Sequence, residues 1–228
     1  MKKFITAISS LLLVISAFSQ SKNNYSISLS VSGLRDSSIF LAYHFGDKQY
    51  ITDTTILDAR GNGVFSGKEK LSQGIYMIVL PGKKYFELLI SDDQNFSVSC
   101  SYNDYFNTLK FTGSDENTAF VAYQKKWGSL QQRSSSNLKR LQSNKENQDS
   151  VRILNEKQRI LEAEMKSYLR TISDENKNNL LGILVKSLIP IDIPEFKIEA
   201  GTHNPDSVRW VKRYNYNKDH FFDNIDLK

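Results

Sequence analysis

Few residues in this chain are suited to redox or metal chemistry. The only cysteine is Cys100, and the three histidines are His44, His203 and His220. A single cysteine cannot form an intramolecular disulfide, and it cannot supply the Cys-x-x-Cys pair of a thiol–disulfide oxidoreductase. We therefore predict that this stretch of chain has no redox activity of its own.

Cys100 lies in an alternating stretch, Phe96-Ser97-Val98-Ser99-Cys100-Ser101-Tyr102. It shares one face of that pattern with the aromatic and aliphatic residues, so the alternation predicts a small, buried, hydrophobic side chain. A reactive thiol would need exposure and nearby positive charge. The sequence around Cys100 shows neither.

The histidines are scattered along the sequence, whereas metal ligands must converge. The densest candidate group is Asp219, His220, Asp223 and Asp226. A polar segment anchored by the two neighbouring phenylalanines is the interpretation that we favour for it. The sequence has no glycine-rich phosphate loop, nucleophile elbow or His-Glu-x-x-His pattern. We predict no catalytic residue, no metal and no cofactor.

Aromatic side chains offer a different kind of chemistry, the binding of a partner. Two groups crowd short segments, namely Tyr102, Tyr105 and Phe106, and then Trp210, Tyr214 and Tyr216. Aromatic residues lie more often in a core than at a binding site, but the first group flanks a loop. We therefore predict a candidate binding surface at Tyr102, Tyr105 and Phe106.

The N-terminus has the three parts of an export signal. Met1-Lys2-Lys3 is positively charged, residues 4–18 are apolar, and Ala17-Phe18-Ser19 supplies small residues for cleavage. The apolar run is short for a membrane span, which needs about 20 residues, and an uncleaved anchor is the alternative. We predict an exported protein of the periplasm or cell envelope, with a signal peptide over residues 1–19 and no stable membrane span after cleavage.

The formal net charge of +5 raises the question of a nucleic-acid partner. The excess belongs to residues 124–170, which hold 11 Lys and Arg against 5 Asp and Glu. These cations are spread around a predicted helix and alternate with Gln, Ser and Asn instead of stacking aromatics. The pattern favours a solvated helix face, and we do not predict nucleic acid as a partner.

Residues 20–113 are predicted to form an antiparallel β domain. In residues 25–32 apolar residues alternate with serines, which is typical of a half-buried strand. Seven further strand candidates, separated by Gly- and Asp-rich turns, cover residues 39–45, 50–57, 63–67, 75–80, 85–91, 96–102 and 108–112. Short strands of this kind favour a β-sandwich. Asp53 and Asp92-Asp93 are interpreted as strand-edge or turn residues, not as a catalytic pair.

The periodicity changes at Ser114, a predicted helix N-cap followed by acidic residues. Two sets of apolar positions at helical spacing predict a long antiparallel helical hairpin: Phe120, Tyr123, Trp127, Leu130, Leu138 and Leu141, then Val151, Leu154, Leu161, Met165, Leu169 and Ile172. Ser173 is predicted to cap a third, buried helix, and Asn204-Pro205 to open a fourth. The chain is thus predicted to be an α+β protein, with a helical domain over residues 114–228 that is incomplete at its C-terminus.

Several of these segments resemble a known domain arrangement. They are Ser32-Gly33-Leu34, Phe40-Leu41-Ala42-Tyr43, Asp53-Thr54-Thr55, Gly63-Val64-Phe65-Ser66-Gly67, Gly74-Ile75-Tyr76 and Phe111-Thr112-Gly113-Ser114-Asp115-Glu116-Asn117. Together they resemble the β domain of unassigned function that precedes the thioredoxin-like domain (AhpC/TSA, TlpA-like) of exported thiol–disulfide proteins of Gram-negative bacteria. The helical region, ending in His220-Phe221-Phe222-Asp223-Asn224-Ile225-Asp226, resembles the linking domain that follows it. The motifs are structural glycines, turns and aromatics.

In such proteins the chemistry belongs to a C-terminal thioredoxin-like domain with a Cys-x-x-Cys pair, which this sequence lacks. The resemblance therefore implies a non-catalytic docking and spacing module that positions a redox domain or binds clients. Its partners would be a C-terminal thioredoxin-like domain or envelope proteins. The alternative is a stand-alone envelope protein that binds a peptide, a glycan or a protein. An enzyme with an unfamiliar site is the third hypothesis.

Overall fold

The computed structural model describes residues 24–225. The predicted signal peptide and Asp226 lie outside this range. The strands are β1 (Tyr25–Ser32), β2 (Ser38–Phe45), β3 (Lys48–Ile56), β4 (Asn62–Gly67), β5 (Gly74–Leu80), β6 (Lys84–Ile90), β7 (Asn95–Ser101) and β8 (Lys110–Thr112). The helices are α1 (Tyr105–Thr108), α2 (Asp115–Ser143), α3 (Gln148–Glu175), α4 (Leu180–Ser187) and α5 (Pro205–Asp219). The predicted α+β class is confirmed.

The strands form two four-stranded sheets. Sheet 1 has the order β4-β1-β7-β8, and sheet 2 has the order β3-β2-β5-β6. Neighbouring strands run antiparallel with one exception, since β1 and β7 pair in parallel. The parallel pair departs from the antiparallel expectation because β7 enters sheet 1 after the chain has crossed from sheet 2.

The alternation in β1 decides which face of sheet 1 is buried. Ile27, Leu29 and Val31 are buried, whereas the serines between them are half-buried. The buried side chains belong to one cluster with residues of sheet 2, including Ile78 and Leu88. Burying an aliphatic side chain of this size contributes about 1.5–3 kcal/mol. The cluster is therefore the main core of the sandwich.

Side chains of β3 cover the free edge of β4. The backbone N–H of Ser66 donates to Asp53 Oδ2 at 3.1 Å, and that of Val64 donates to Thr55 Oγ1 at 3.2 Å. An uncovered strand edge is a template for pairing with another chain. Asp53, predicted as a strand-edge residue, therefore joins sheet 2 to sheet 1.

Asparagine and serine side chains fix the starts of the helices. Ser114 caps α2 as predicted, because its Oγ accepts from the backbone N–H of Asn117 at 3.2 Å. Asn204 likewise caps α5. The prediction that Ser173 caps the third helix is wrong. Ser173 lies inside α3, and α4 begins at Leu180 with Asn179 as its cap.

Helices α2 and α3 form the predicted antiparallel hairpin. Leu130, Leu154 and Leu161 are buried between them. Leu138, expected on the buried stripe, is exposed, and Asn137 takes the buried position. The reason is spacing, because Asn137 lies a heptad beyond Leu130 whereas Leu138 is one residue further round the helix. Asn137 Nδ2 donates to the Leu154 carbonyl at 2.9 Å.

The first turn of α2 attaches the helices to the sandwich. Asn117, which is 1% exposed, accepts from the Leu89 backbone N–H at 2.7 Å and donates to the Leu89 carbonyl at 2.8 Å. Glu116 accepts from Ser91 Oγ at 2.5 Å and from the Leu181 backbone N–H at 3.0 Å. We call Glu116 and Asn117 the clamp. The clamp binds the end of β6 to the starts of α2 and α4.

A second hydrophobic core forms beside the clamp. Leu89 of β6 packs there with Phe120, Leu169 and Leu181, which come from three different helices. Helices thus cover the β5–β6 part of the outward face of sheet 2, whereas Ile51 and Ile56 of β3 stay exposed. The expectation that α4 is buried holds for one side only, because Ile183 on α4 is exposed.

Helix α5 contrasts with the other long helices, since none of its residues is buried. It follows an extended segment that begins near Pro190. Across residues 24–225, no helix combines the length and apolar character needed to cross a membrane.

Replacing Asn117 by Ala should lower the free energy of unfolding by about 2–4 kcal/mol, because it leaves the Leu89 N–H and C=O buried without partners. Urea unfolding followed by circular dichroism measures this change. Thr118→Ala, an exposed change in the same turn, is the control and should cost under about 0.5 kcal/mol. Equal effects of the two substitutions would contradict the role of the clamp.

Candidate binding cleft

A cleft of about 840 Å³ opens at one end of the sandwich. It lies between the end of β2, the start of β5 and the segment 67–74 that connects the two sheets. Its lining includes Tyr43, His44, Thr52 and Tyr76. We call it the aromatic cleft. Its combination of aromatic surface with a few polar groups is typical of ligand sites.

Three tyrosines from adjacent strands form a ladder at the cleft. Tyr43 of β2 is paired with Tyr50 of β3 on one side and with Tyr76 of β5 on the other. The ring centroids are 5.8 Å apart for Tyr43 and Tyr50, and 5.7 Å apart for Tyr43 and Tyr76. Tyr76 is buried and donates to the Ser72 carbonyl at 3.0 Å, whereas Tyr50 is 42% exposed. Tyr43 and Tyr76 line the cleft and Tyr50 stacks beside them, so the ladder leads from the core through the cleft to an accessible ring next to it.

A β-bulge brings a hydroxyl into the cleft. Leu41 pairs with Asp53 and Ala42 pairs with Ile51, so Thr52 has no partner opposite it. A bulge bends its strand and redirects a side chain, and bulges are frequent near functional sites. Thr52 consequently lines the cleft.

The opposite wall, residues 67–74, is fixed by Gln94. The Gln94 side chain accepts from the Leu71 N–H at 2.9 Å and donates to the Leu71 carbonyl at 2.9 Å. It also donates to the Ser91 carbonyl at 3.0 Å. Because Gln94 is itself buried, this wall is held in place from within. The cleft is preformed.

The floor of the cleft is closed by Tyr25. Its ring lies against Gly67, where an added Cβ would come within 2.4 Å of the ring. Its hydroxyl donates to Asp53 Oδ2 at 2.8 Å. Burial, with the Asp53 carboxylate as a second cause, raises the pKa of Tyr25 to about 12. Tyr25 therefore stays a neutral donor throughout the physiological range.

The rim of the cleft carries charged side chains. Lys68, Glu69 and Lys70 are exposed there, as is His44. Lys70 Nζ donates to the Asp92 carbonyl at 3.1 Å. Asp92, predicted as a turn residue, therefore supports the rim. The aromatic lining can contact the apolar groups of an extended ligand, and the polar rim side chains can form hydrogen bonds with it.

The predicted surface at Tyr102, Tyr105 and Phe106 lies elsewhere. Tyr102 directly follows β7 and lies near the C-terminal end of β1. Tyr25, at the aromatic cleft, lies at the N-terminal end of the same strand. Lys84 Nζ lies 3.9 Å from the Tyr102 ring centre and 5.9 Å from that of Tyr105, whereas Phe106 has a different cation beside it, with Lys125 Nζ 5.9 Å from its ring centre. Lys84 therefore covers part of this surface with cation–π contacts. Whether these residues bind a partner stays a prediction.

Cys100 occupies the position that the alternation predicted. Its side chain is 6% exposed within the sandwich core. Burial raises the pKa of the Cys100 thiol to about 11, so the thiolate is a minor species at neutral pH. The prediction of a buried core cysteine is confirmed.

The histidines remain apart in the structure. His44 is at the cleft rim, and His220 Nδ1 lies 2.7 Å from Asp223 Oδ2 at the end of α5. Within residues 24–225, no three His, Cys, Asp or Glu side chains are placed to hold a metal ion.

A second cleft of about 520 Å³ lies between α3, α4 and the turn after α5. Asp192 at its edge pairs with Lys166 and Arg170, and Asp223 is beside His220. Two of its three acidic lining residues, Asp192 and Asp223, are already partnered, whereas Asp174 also lines it. We take the aromatic cleft as the stronger candidate because its wall is held by buried hydrogen bonds.

Replacing Tyr25 by Phe should reduce the slope with which the free energy of unfolding falls as the pH rises above 10. The folded protein keeps the Tyr25 proton up to a pKa of about 12, whereas the unfolded chain releases it near 10. The unfolded state thus binds fewer protons between pH 10 and 12, and the free energy of unfolding falls there. Urea unfolding from pH 8 to 11.5 measures the slope. The exposed Tyr85→Phe is the control, and a slope unchanged by Tyr25→Phe would contradict the assignment.

Residues 25–120 match the family model described as "Domain of unknown function (DUF4369)". The matched region spans the sandwich, the aromatic cleft and the first turns of α2, including the clamp. Comparison with curated proteins finds no match, and neither does comparison with solved structures. The chain is therefore similar to this domain family over residues 25–120, and a helical region follows the matched part.

Proposed function

We propose that this chain is a non-catalytic docking and spacing module of an exported thioredoxin-like thiol–disulfide protein. In this role the sandwich binds clients at the aromatic cleft, and the helical region positions a redox domain. The observation that carries the proposal is a continuous hydrogen-bonded path from the cleft wall to the helices. A module that positions one domain relative to another needs such a rigid connection.

The path joins five residues by four hydrogen bonds. Leu71 in the cleft wall is held by Gln94, Gln94 donates to the Ser91 carbonyl, and the Ser91 hydroxyl donates to Glu116. Glu116 then accepts from the N–H of Leu181 at the start of α4. The second core packs beside this path. The sandwich and the helices are thereby joined as one body.

The properties of Cys100 support the non-catalytic part of the proposal. A thiol–disulfide exchange step requires an accessible thiolate, and Cys100 is buried with its pKa raised to about 11. The resemblance to the front domains of exported thioredoxin-like proteins supports the remainder. A cell-envelope location follows from the predicted signal peptide.

A stand-alone envelope binding protein is the second candidate function. The preformed aromatic cleft is the specific observation that favours it, because a preformed site loses little entropy when it orders a ligand. In this case the helices would serve as a support for the cleft.

Removing the clamp should loosen the sandwich from the helices. Spin labels at Ser97→Cys on β7 and Asn155→Cys on α3, in a Cys100→Ser background, would report the distance between the two parts by pulsed electron resonance. We expect one narrow distance distribution, and a clearly broader one after Glu116→Ala with Asn117→Ala. Thr118→Ala should keep the narrow distribution. A broad distribution before any clamp substitution would refute the rigid spacer.

Tyr50 stacks on Tyr43, which lines the aromatic cleft. Replacing Tyr50 by Ser should weaken client binding about tenfold, since truncating an aromatic contact at a binding site costs about 1–2 kcal/mol. The probe is fluorescein-labelled, reduced and carboxymethylated α-lactalbumin, a permanently unfolded chain, and its fluorescence anisotropy reports binding. Tyr85→Ser is the matched control, because Tyr85 on β6 lies outside the cleft and is 51% exposed against 42% for Tyr50.

Binding of chitotetraose in place of the unfolded chain, with the same sensitivity to Tyr50→Ser, would assign a glycan to the cleft and favour the stand-alone function. Binding of neither probe, or binding that Tyr50→Ser leaves intact, would contradict the assignment of the cleft as the binding site.

A further inference from the structure

The hairpin of β2 and β3 extends beyond the rest of sheet 2. β2 pairs with β5 only over residues 40–43, whereas its pairing with β3 continues as far as Phe45 and Lys48. Every residue from 44 to 52 is exposed. We call residues 44–52 the arm. Because His44 and Phe45 line the aromatic cleft, the arm forms one side of that cleft.

The two-residue turn of the arm decides which backbone groups of β3 are free. Phe45 and Lys48 flank the turn directly, so they form a hydrogen-bonded pair, and such pairs recur at every second residue of the ladder. The backbone N–H and C=O groups of Gln49 and Ile51 therefore point away from β2. β3 is an edge strand, and within residues 24–225 no strand other than β2 pairs with it.

Other edges of the sandwich are covered by side chains. On β4 the outward N–H groups donate to side chains of β3, and on β6 the side chain of Asn117 bonds the backbone of Leu89. Near the other end of β3, the Thr54 N–H donates to Asp53 Oδ1 at 2.7 Å. Within the described part of the chain, no such bond reaches the outward groups of the arm. An uncovered edge of this kind is a template for another extended chain.

The side chains along this edge are apolar on both faces of the sheet. Successive strand residues point to opposite faces, so Tyr50 lies on the cleft side with Tyr43, and Ile51 lies on the other side. Tyr50 is 42% exposed and Ile51 is 61% exposed. A strand laid beside β3 would contact Tyr50 with one set of its side chains and Ile51 with the next. The edge therefore fits a segment that is apolar on both of its faces.

We infer that the arm holds its client by strand addition, with an extended polypeptide segment pairing along β3 between Lys48 and Thr52. The occupant follows from the backbone pattern, because an extended polypeptide presents alternating N–H and C=O groups that match the edge, whereas a glycan does not. Unfolded chains expose continuous apolar segments that folded proteins bury. The inference rests on the proposed function, and it names the client class as unfolded polypeptide.

The amide hydrogens of the arm give a direct test in the protein without substitutions. Deuterium exchange is followed by NMR with and without reduced, carboxymethylated α-lactalbumin. We expect the Gln49 and Ile51 amides to exchange rapidly in the free protein, and about tenfold more slowly when about nine-tenths of the protein is bound. The Lys48 and Tyr50 amides already bond β2, so they are the internal control and should change far less.

A proline at position 49 tests the same hydrogen bonds from the side of the protein. Gln49→Pro removes one outward N–H and keeps the ladder to β2, because an edge strand tolerates proline where its N–H faces solvent. It should weaken binding in the anisotropy assay about fivefold. Gln49→Thr keeps the N–H and should recover most of that loss. The exchange rate of the Tyr43 amide, which bonds Tyr50, reports whether the ladder persists.

Binding of the probe without slower exchange at Gln49 and Ile51 would overturn the inference and leave the proposed function standing. Equal affinities of Gln49→Pro and Gln49→Thr, with the ladder intact, would do the same. An absence of any binding would contradict the proposed function and the inference together. Slow exchange that appears without the probe and accompanies a concentration-dependent dimer would assign the edge to a second copy of the chain and overturn the client assignment.

Discussion

The contact between Asn117 and the backbone of Leu89 is the interaction on which the arrangement of this protein depends. A side-chain amide carries one donor and one acceptor side, so it can bond a strand edge as a neighbouring strand would. Here it completes β6 and at the same time fixes the first turn of α2. Since Asn117 is buried, water cannot replace it, and the geometry is maintained by the cost of an unmade hydrogen bond.

The same physical solution recurs around the sandwich. Gln94 bonds both backbone groups of Leu71, and the side chains of Asp53 and Thr55 accept from the edge of β4. Asp53 and Thr55 replace strand pairing at the edge of β4, whereas Gln94 bonds the backbone of a segment that belongs to no strand. Gln94 and Asp53 also fix the geometry of the candidate cleft. Gln94 holds the wall of the aromatic cleft, and Asp53 receives the Tyr25 hydroxyl below it.

The sequence predicted those features that depend on local pattern. Alternation placed the eight strands and buried Cys100, and the cap at Ser114 marked the start of α2. The aromatic cleft depends on register between strands. Tyr43, Tyr50 and Tyr76 become neighbours only when β2, β3 and β5 pair as they do, and the bulge at Thr52 has no composition signal. The buried amides escaped prediction because their types are ordinary surface residues.

The aromatic cleft and helix α5 differ in how they gain their order, and this difference bears on binding. The aromatic cleft is held by buried hydrogen bonds, so a ligand finds it already formed and loses little free energy in ordering it. Helix α5 has no buried residue, so any partner that bound it would also have to stabilise the helix, which takes part of the binding free energy. The cleft is therefore better suited than α5 to selective recognition of a ligand. Because the clamp joins the sandwich to α2 and α4, the cleft keeps a fixed orientation relative to those two helices.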